Sequence, residues 1–345
     1  MKPIRLEGVD LARFLAFVGV VIVDFGLAMG VGREGEGVLA WLYAGLHDWA
    51  VAAFLVVCGL TLGLADNVAV RALPVRVVLR RSGILLMLGL ICAWFFPADL
   101  LHVYAWLYLL AYFCLVLTPS RLLGLLFGIN LLYVILFLLL DYPRGWEPGL
   151  LRYQEIQSLW DPLRRLFFNG FYPLLPWLAF LAFGLLLSFY RLTDSRFQHR
   201  LILLGLGGFV FAKLLALGLG TLDPAGAATG LWSVESRPPM PLFVLAALGA
   251  ASMLLGVCLR SSHWLAEKGI LGWLLPAGRQ TLTLYVLHIL VGMGLLNLSG
   301  LLHGQNLHVV FPAALLFCWA AVIFAHWWNL WSQRGILESV VRGVD

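Results

Sequence analysis

Leu11-Ala12-Arg13-Phe14-Leu15-Ala16-Phe17-Val18-Gly19-Val20-Val21-Ile22-Val23-Asp24-Phe25-Gly26-Leu27-Ala28-Met29-Gly30 is the stretch on which the fold turns. It is long and apolar enough to cross a bilayer as one helix, and it lacks the small-residue cleavage site of a signal peptide. It therefore reads as a retained first span. The chain as a whole is of the same kind: its 345 residues are 62% hydrophobic and 12% charged, with a mean hydropathy of +0.93. A water-soluble protein of this length needs far more polar surface. Inside a bilayer each backbone polar group must be satisfied by the chain itself, which leaves helices for spans of this length. The expectation is an all-α polytopic membrane bundle, forming a single integral-membrane domain over residues 1–345.

Moving outward from the first span, apolar stretches predict about ten transmembrane helices. They fall near 11–30, 48–65, 80–96, 100–118, 121–141, 171–190, 200–220, 240–258, 279–300 and 308–328. Only Pro97, Ala98 and Asp99 separate the third from the fourth, so a tight turn or a re-entrant kink belongs there. With a cytoplasmic N-terminus, 16 Lys and Arg fall in inside segments and 6 in outside segments. This bias puts both termini in the cytoplasm. The longer connections, 31–47, 142–170 and 221–239, are then all outside, and Leu150 to Phe168 has the interleaved pattern of an interfacial helix. Long ordered loops on one face usually cover a site.

The net charge of +5 does not point to nucleic acid, because the basic residues are scattered through short loops. The five cysteines lie in apolar runs without metal-site or disulfide spacing. No metal set, Walker loop or dinucleotide fingerprint is present.

Few ionisable residues fall within the spans, and each needs a reason. Asp10 and Arg13 share a helix face and read as an ion pair at the cytoplasmic end. Asp24 returns to that stripe almost three turns later, in the outer half. His47 and Asp48 open the second predicted span, which brings His47 to the depth of Asp24. An imidazole beside a carboxylate is an acid/base arrangement or a structural hydrogen-bond pair. Tyr285 and His288 share one face of the ninth span, with Arg279 at its cytoplasmic end, as packing or cavity-lining groups. Lys213 in the seventh span either snorkels or pairs with a buried acid. His102, His303, His308 and His326 read as interfacial residues.

Four stretches, in order, resemble the heparan-α-glucosaminide N-acetyltransferase-like membrane acyltransferases, including their bacterial YeiB-like branch. They are Arg5-Leu6-Glu7-Gly8-Val9-Asp10-Leu11-Ala12-Arg13; His47 with Ala53-Phe54-Leu55-Val56-Val57-Cys58-Gly59; Asn169-Gly170-Phe171-Tyr172-Pro173 through Trp177; and Gly278-Arg279 through Tyr285 to His288. The resemblance implies transfer of an acyl group, acetyl above all, from cytoplasmic acyl-CoA to an extracytoplasmic glycan, lipid headgroup or small molecule. It implies His47 as the essential histidine, acting as base or acyl carrier. An assisting asparagine of the family is replaced here by Asp24, and a Gly-Arg that often follows the histidine by Asp48-Trp49. Arg71, Arg76, Arg80, Arg81 and Arg279 are the basic groups available for the phosphates of the donor, and Tyr172 is a substrate-side residue. No metal is expected. A bacterial inner membrane, contact with membrane lipids and room for a homodimer complete the expectation. The competing readings are a small-molecule transporter or flippase with a polar path of Asp24, Lys213 and His288, and a non-catalytic scaffold.

Overall fold

A computed structural model describes residues 6–32, 36–64, 74–146 and 160–343. Every regular element among them is helical: α1 (Glu7–Ala28), α2 (Val38–Leu64), α3 (Val75–Phe95), α4 (Leu101–Cys114), α5 (Pro119–Leu139), α6 (Trp160–Arg164), α7 (Leu174–Leu187), α8 (Ser195–Leu222), α9 (Pro224–Thr229), α10 (Pro241–Glu267), α11 (Leu271–Arg279), α12 (Thr281–Leu287), α13 (Gly294–Leu298), α14 (Leu307–Asn329) and α15 (Ile336–Arg342). A π-helical turn, Arg165–Asn169, extends α6, and another, His288–Met293, joins α12 to α13 in one span.

Each predicted span contains a helix, but the count of ten needs correction. Eight helices among the described residues are long and apolar enough to cross a membrane, or nine with a pair bent by 44° between Asn169 and Leu174. The fourth segment shrinks to the 14 residues of α4. The second starts earlier than its hydropathy suggests, at Val38, because the preceding apolar residues continue the helix outward. His47 is therefore nine residues inside α2, roughly 13 Å from its outer end at the rise of an α-helix, and does not open it. Of the predicted interfacial stretch Leu150 to Phe168, residues 150–159 lie outside the described residues; the remainder is α6 and its π-helical turn.

The centre of the bundle is built from α1, α2, α7 and α10, whose apolar faces are buried on several sides, while α5, α8 and α14 expose most of theirs as lipid-facing helices do. In lipid the hydrophobic effect gives no net drive to pair apolar helices, so close packing over small residues takes its place. Gly59 of α2 lies against the carbonyl of Leu181, and Gly184 of α7 against the carbonyl of Val56, so the two backbones touch with no room for a Cβ on either side.

The α3–α4 hairpin places the site. Its two arms are antiparallel, with Ser82 Oγ donating to the Ala105 carbonyl at 2.8 Å and Gly89 packed on the backbone of His102. The turn between them is buried: Phe96, Ala98, Asp99 and Leu100 are all nearly inaccessible. A carboxylate thus sits at the tip of a short hairpin inside the bundle.

Gly184→Val drives a side chain into the α2 backbone. Overpacking commonly costs about 1–3 kcal/mol, and a backbone obstacle cannot rotate away. The variant is expected to unfold at clearly lower temperature in detergent, whereas Gly207→Val on α8, where a Cβ meets open space, leaves the melting curve in place.

Candidate functional site

Two cavities approach each other at the hairpin tip. The inner one, of about 280 Å³, is lined by Arg13, Arg81, Arg279 and Arg342 together with Thr61, Thr281, Tyr104 and Tyr108, and ends at Leu100, Leu101 and Tyr285. Its basic wall is held in place by Asp10. That buried carboxylate takes Arg13 Nη1 on Oδ1 at 3.3 Å and Arg279 Nε on Oδ2 at 3.2 Å. Arg13 also donates to the Gly278 carbonyl at 3.0 Å. Gly278 permits this because α11 rests on the α1 backbone at Asp10, where a Cβ would not fit. Across the cavity, Glu338 of α15 accepts from the backbone N–H of Leu282 at 2.7 Å and of Thr283 at 3.2 Å, and from Thr283 Oγ1 at 2.5 Å. It satisfies first-turn donors of α12 that have no partner within the helix and ties the C-terminal helix to the cavity mouth.

The wall at the far end is polar. Tyr285 OH donates to Asp99 Oδ1 at 3.0 Å and accepts from the Leu100 N–H at 2.9 Å. Asp99 Oδ2 accepts from the N–H of His102 and lies 3.0 Å from its Nδ1. Asp99 is fully buried while His102 keeps about a quarter of its side chain accessible. A carboxylate that already accepts from Tyr285 and from a backbone N–H draws the ring proton of His102 to Nδ1, leaving Nε2 as the acceptor.

A second buried pair lies beside this wall, with the Tyr285 ring edge-on to His288 at 4.7 Å between centroids. His288 Nδ1 bonds the carbonyl of Tyr285, and its Nε2 is 3.1 Å from Asp24 Oδ2. A carbonyl only accepts, so Nδ1 carries a proton. The Nε2 contact then needs another, held on the imidazole or on the carboxyl. The Asp24–His288 pair is thus neutral as a unit, which is what burial at 1% and 0% exposure demands. The π-helical turn that begins at His288 turns the ring toward α1; such turns recur at functional sites.

The outer cavity, of about 460 Å³, lies on the other side of the hairpin tip. Asp99 and His102 line it together with Asp161, Arg165, Phe171 and Tyr172. Its cover is pinned by Asn169, whose Nδ2 donates to the carbonyls of Tyr142 and Arg144 at 2.9 and 2.8 Å and whose own carbonyl accepts from Trp146 Nε1 at 2.8 Å.

The expected pairing of Asp24 with His47 is corrected: Asp24 meets His288, from the ninth span. His47 packs edge-on against the Tyr43 ring at 6.0 Å and lines neither cavity. The reason is helical phase, since α1 presents Asp24 toward α12 and π-helical His288, while Tyr43 of α2 covers Gly26. Arg81 and Arg279 line the inner cavity, whereas Arg76 and Arg80 are exposed away from it. Arg71 lies outside the described residues. Asp10, Arg13 and Tyr285 belong to the inner cavity or its supports and Tyr172 to the outer. Lys213 does not line the path with Asp24 and His288; it is exposed on α8, its ammonium 4.9 Å from the Phe209 ring centre. Asp99 and His102 are what sequence reading missed. Their i, i+3 spacing directly after a turn was the available signal. Among the described residues no group of three or more His, Cys, Asp or Glu could hold a metal ion.

The fold and its buried polar layer define a polytopic helical membrane protein. Residues 189–344 match the model of a family described as "Protein of unknown function (DUF418)". Comparison with curated proteins and with solved structures gave no match. The matched part supplies Arg279, Tyr285, His288 and Glu338, and the part before it supplies Asp10, Asp24, Asp99, His102 and Tyr172, so neither part holds the site alone.

Asp10→Asn leaves two guanidinium groups facing each other without their shared anion. Breaking a buried ion pair from one side is expected to cost on the order of 3 kcal/mol, read as a lower unfolding midpoint in detergent. Adding Arg279→Gln to that variant recovers part of the loss.

Proposed function

We propose that the protein is a membrane-embedded acyltransferase, in which an acyl-CoA held in the inner cavity acylates a hydroxyl or amine presented in the outer one. What supports this reading is the meeting of two chemically different cavities at a single helical turn. Leu100 and Leu101 face the inner, basic cavity, and Asp99 and His102 face the outer cavity. Guanidinium groups suit the phosphates of a CoA thioester because they bind them in fixed, forked geometry. The apolar and hydroxyl lining beyond them suits a pantetheine arm, and the arm's reactive end then lies against Tyr285 and Leu100. The resemblance of four sequence stretches to membrane acyltransferases agrees with this reading.

His102 is the general base in this proposal and Asp99 its positioning residue. His102 Nε2 takes the proton of the acceptor hydroxyl as the oxygen attacks the thioester carbon. The C–O bond forms, the C–S bond breaks, and the electron pair leaves with the CoA sulfur. The imidazolium of His102 then gives up that proton, which ends on the thiolate, so that alcohol and acyl-CoA become ester and CoA thiol and the base is restored. Tyr285, bonded to Asp99 and exposed to the inner cavity, stands between base and leaving group.

The test uses the purified protein in nanodiscs with labelled acetyl-CoA and an alkyl glycoside acceptor. General-base catalysis contributes about 10²–10⁴-fold, so His102→Ala is expected to lower label transfer by at least 100-fold while CoA binding persists. His47→Ala, at the position the family resemblance marks, is the matched comparison. Full activity of His102→Ala with loss in His47→Ala returns the base to His47. Movement of a solute without any acyl transfer overturns the acyltransferase reading in favour of transport.

A further inference from the structure

We infer that the outer cavity receives the hydroxyl-bearing headgroup of a lipid, which reaches it sideways from the outer leaflet. The rim of the cavity carries the argument. One wall is the outer end of α3, where Leu90 and Ala93 line the cavity. Leu90 is 58% exposed, and the neighbouring Trp94 and Phe95 are 87% and 64% exposed. The facing wall is α6 and the turn after it, where Asp161, Pro162 and Leu166 line the cavity. Trp160, Leu163 and Phe167 project from that wall to the outside, Trp160 at 74% exposure. Tryptophan projecting from the end of a span marks the membrane–water interface, and a short helix with Trp, Leu and Phe on its outer side lies in that plane. Both sides of the mouth are therefore surfaces that acyl chains wet.

The interior has the opposite character. His102 and Asp99 form its floor, Asp161 and Arg165 bring one charge of each sign, and the rings of Phe171 and Tyr172 offer flat faces. Carboxylate and guanidinium groups grip neighbouring hydroxyls, and aromatic faces pack on the C–H faces of a polyol ring. A cavity of about 460 Å³ is in the range of small-molecule pockets and admits a headgroup, not a polymer. Among the described residues, α3 and α6 both line the cavity, and Asn169 anchors the turn that follows α6. An amphiphile solves both halves at once, with its tail against Leu90 and Trp94 and its hydroxyls over His102. Binding of the lipid rests on this cavity alone; what happens to the headgroup rests on the acyl-transfer reading above.

The test separates the two. A dodecyl glucoside bearing a diazirine on the sugar is irradiated with the nanodisc-embedded protein, and labelled peptides are mapped by mass spectrometry. Labels on Val103, Leu166 and Phe171 are expected. Unmodified dodecyl glucoside or dodecyl phosphoglycerol is expected to compete at least tenfold better than methyl glucoside, and Ala93→Trp, which fills the mouth, to remove the labels while the melting temperature holds. Competition by the phosphate-bearing amphiphile assigns Arg165 a phosphate; competition by the glucoside alone assigns a neutral headgroup. Labels confined to the outer aromatic belt, or methyl glucoside competing as well as its dodecyl form, overturn the inference. Acylation of methyl and dodecyl glucoside at equal kcat/KM overturns it while sparing acyl transfer. Mapped, competed labels without acyl transfer keep the lipid site and defeat the transferase reading.

Discussion

A carboxylate at the tip of a buried hairpin must have its acceptor positions filled, and Asp99 fills them with groups from two distant parts of the chain. Tyr285 reaches it across 186 residues of sequence, and His102 meets it from the first turn of α4 through its backbone N–H and ring Nδ1. Desolvating an unpartnered carboxylate costs several kcal/mol, so these bonds hold the α3–α4 hairpin and the ninth span in one relative position. The same bonds fix the turn at which the two cavities meet and hold the His102 imidazole on its outer side. Loosening Asp99 therefore disturbs the division between the cavities and the tautomer of His102 together.

The inner end obeys the same rule with the signs reversed. Arg13 and Arg279 come from helices at opposite ends of the sequence and are drawn together by Asp10. Without that anion, two cations would repel across a partly buried gap. With it, they form a rigid basic face directed into a cavity. Glu338 acts on the other side, where α15 is secured to the first turn of α12. The C-terminal segment is thereby part of the cavity wall and not a trailing end. Asp24 and His288 complete the scheme as a neutral unit, which lets an acid and an imidazole share the apolar interior next to Tyr285.

Apolar run length, the scarcity of charge and the need of each backbone to satisfy itself were legible in the residues, and they determined a helical membrane bundle with nearly all of its segments in place. The ion pair of Asp10 and Arg13 was legible too, because i, i+3 spacing is a local property. Local spacing did not settle the partner of Asp24. Spacing put His47 at the depth of Asp24 and left His288 as a packing or cavity-lining group, and only the helical phase of α1 against α12, the earlier start of α2 and the π-helical turn at His288 brought His288 to Asp24 instead. Asp99 and His102 looked like the trim of a turn, since burial of that turn depends on how far the hairpin extends and on what covers it. Lys213 shows the converse: a charge in an apolar span suggests a buried path, yet its helix packs at the edge of the bundle and turns it outward. Periodicity and composition are properties of one segment at a time and so determined the class of the fold. Which acid meets which base is a property of packed pairs of segments, and the tertiary structure decided it through contacts that no single stretch contains.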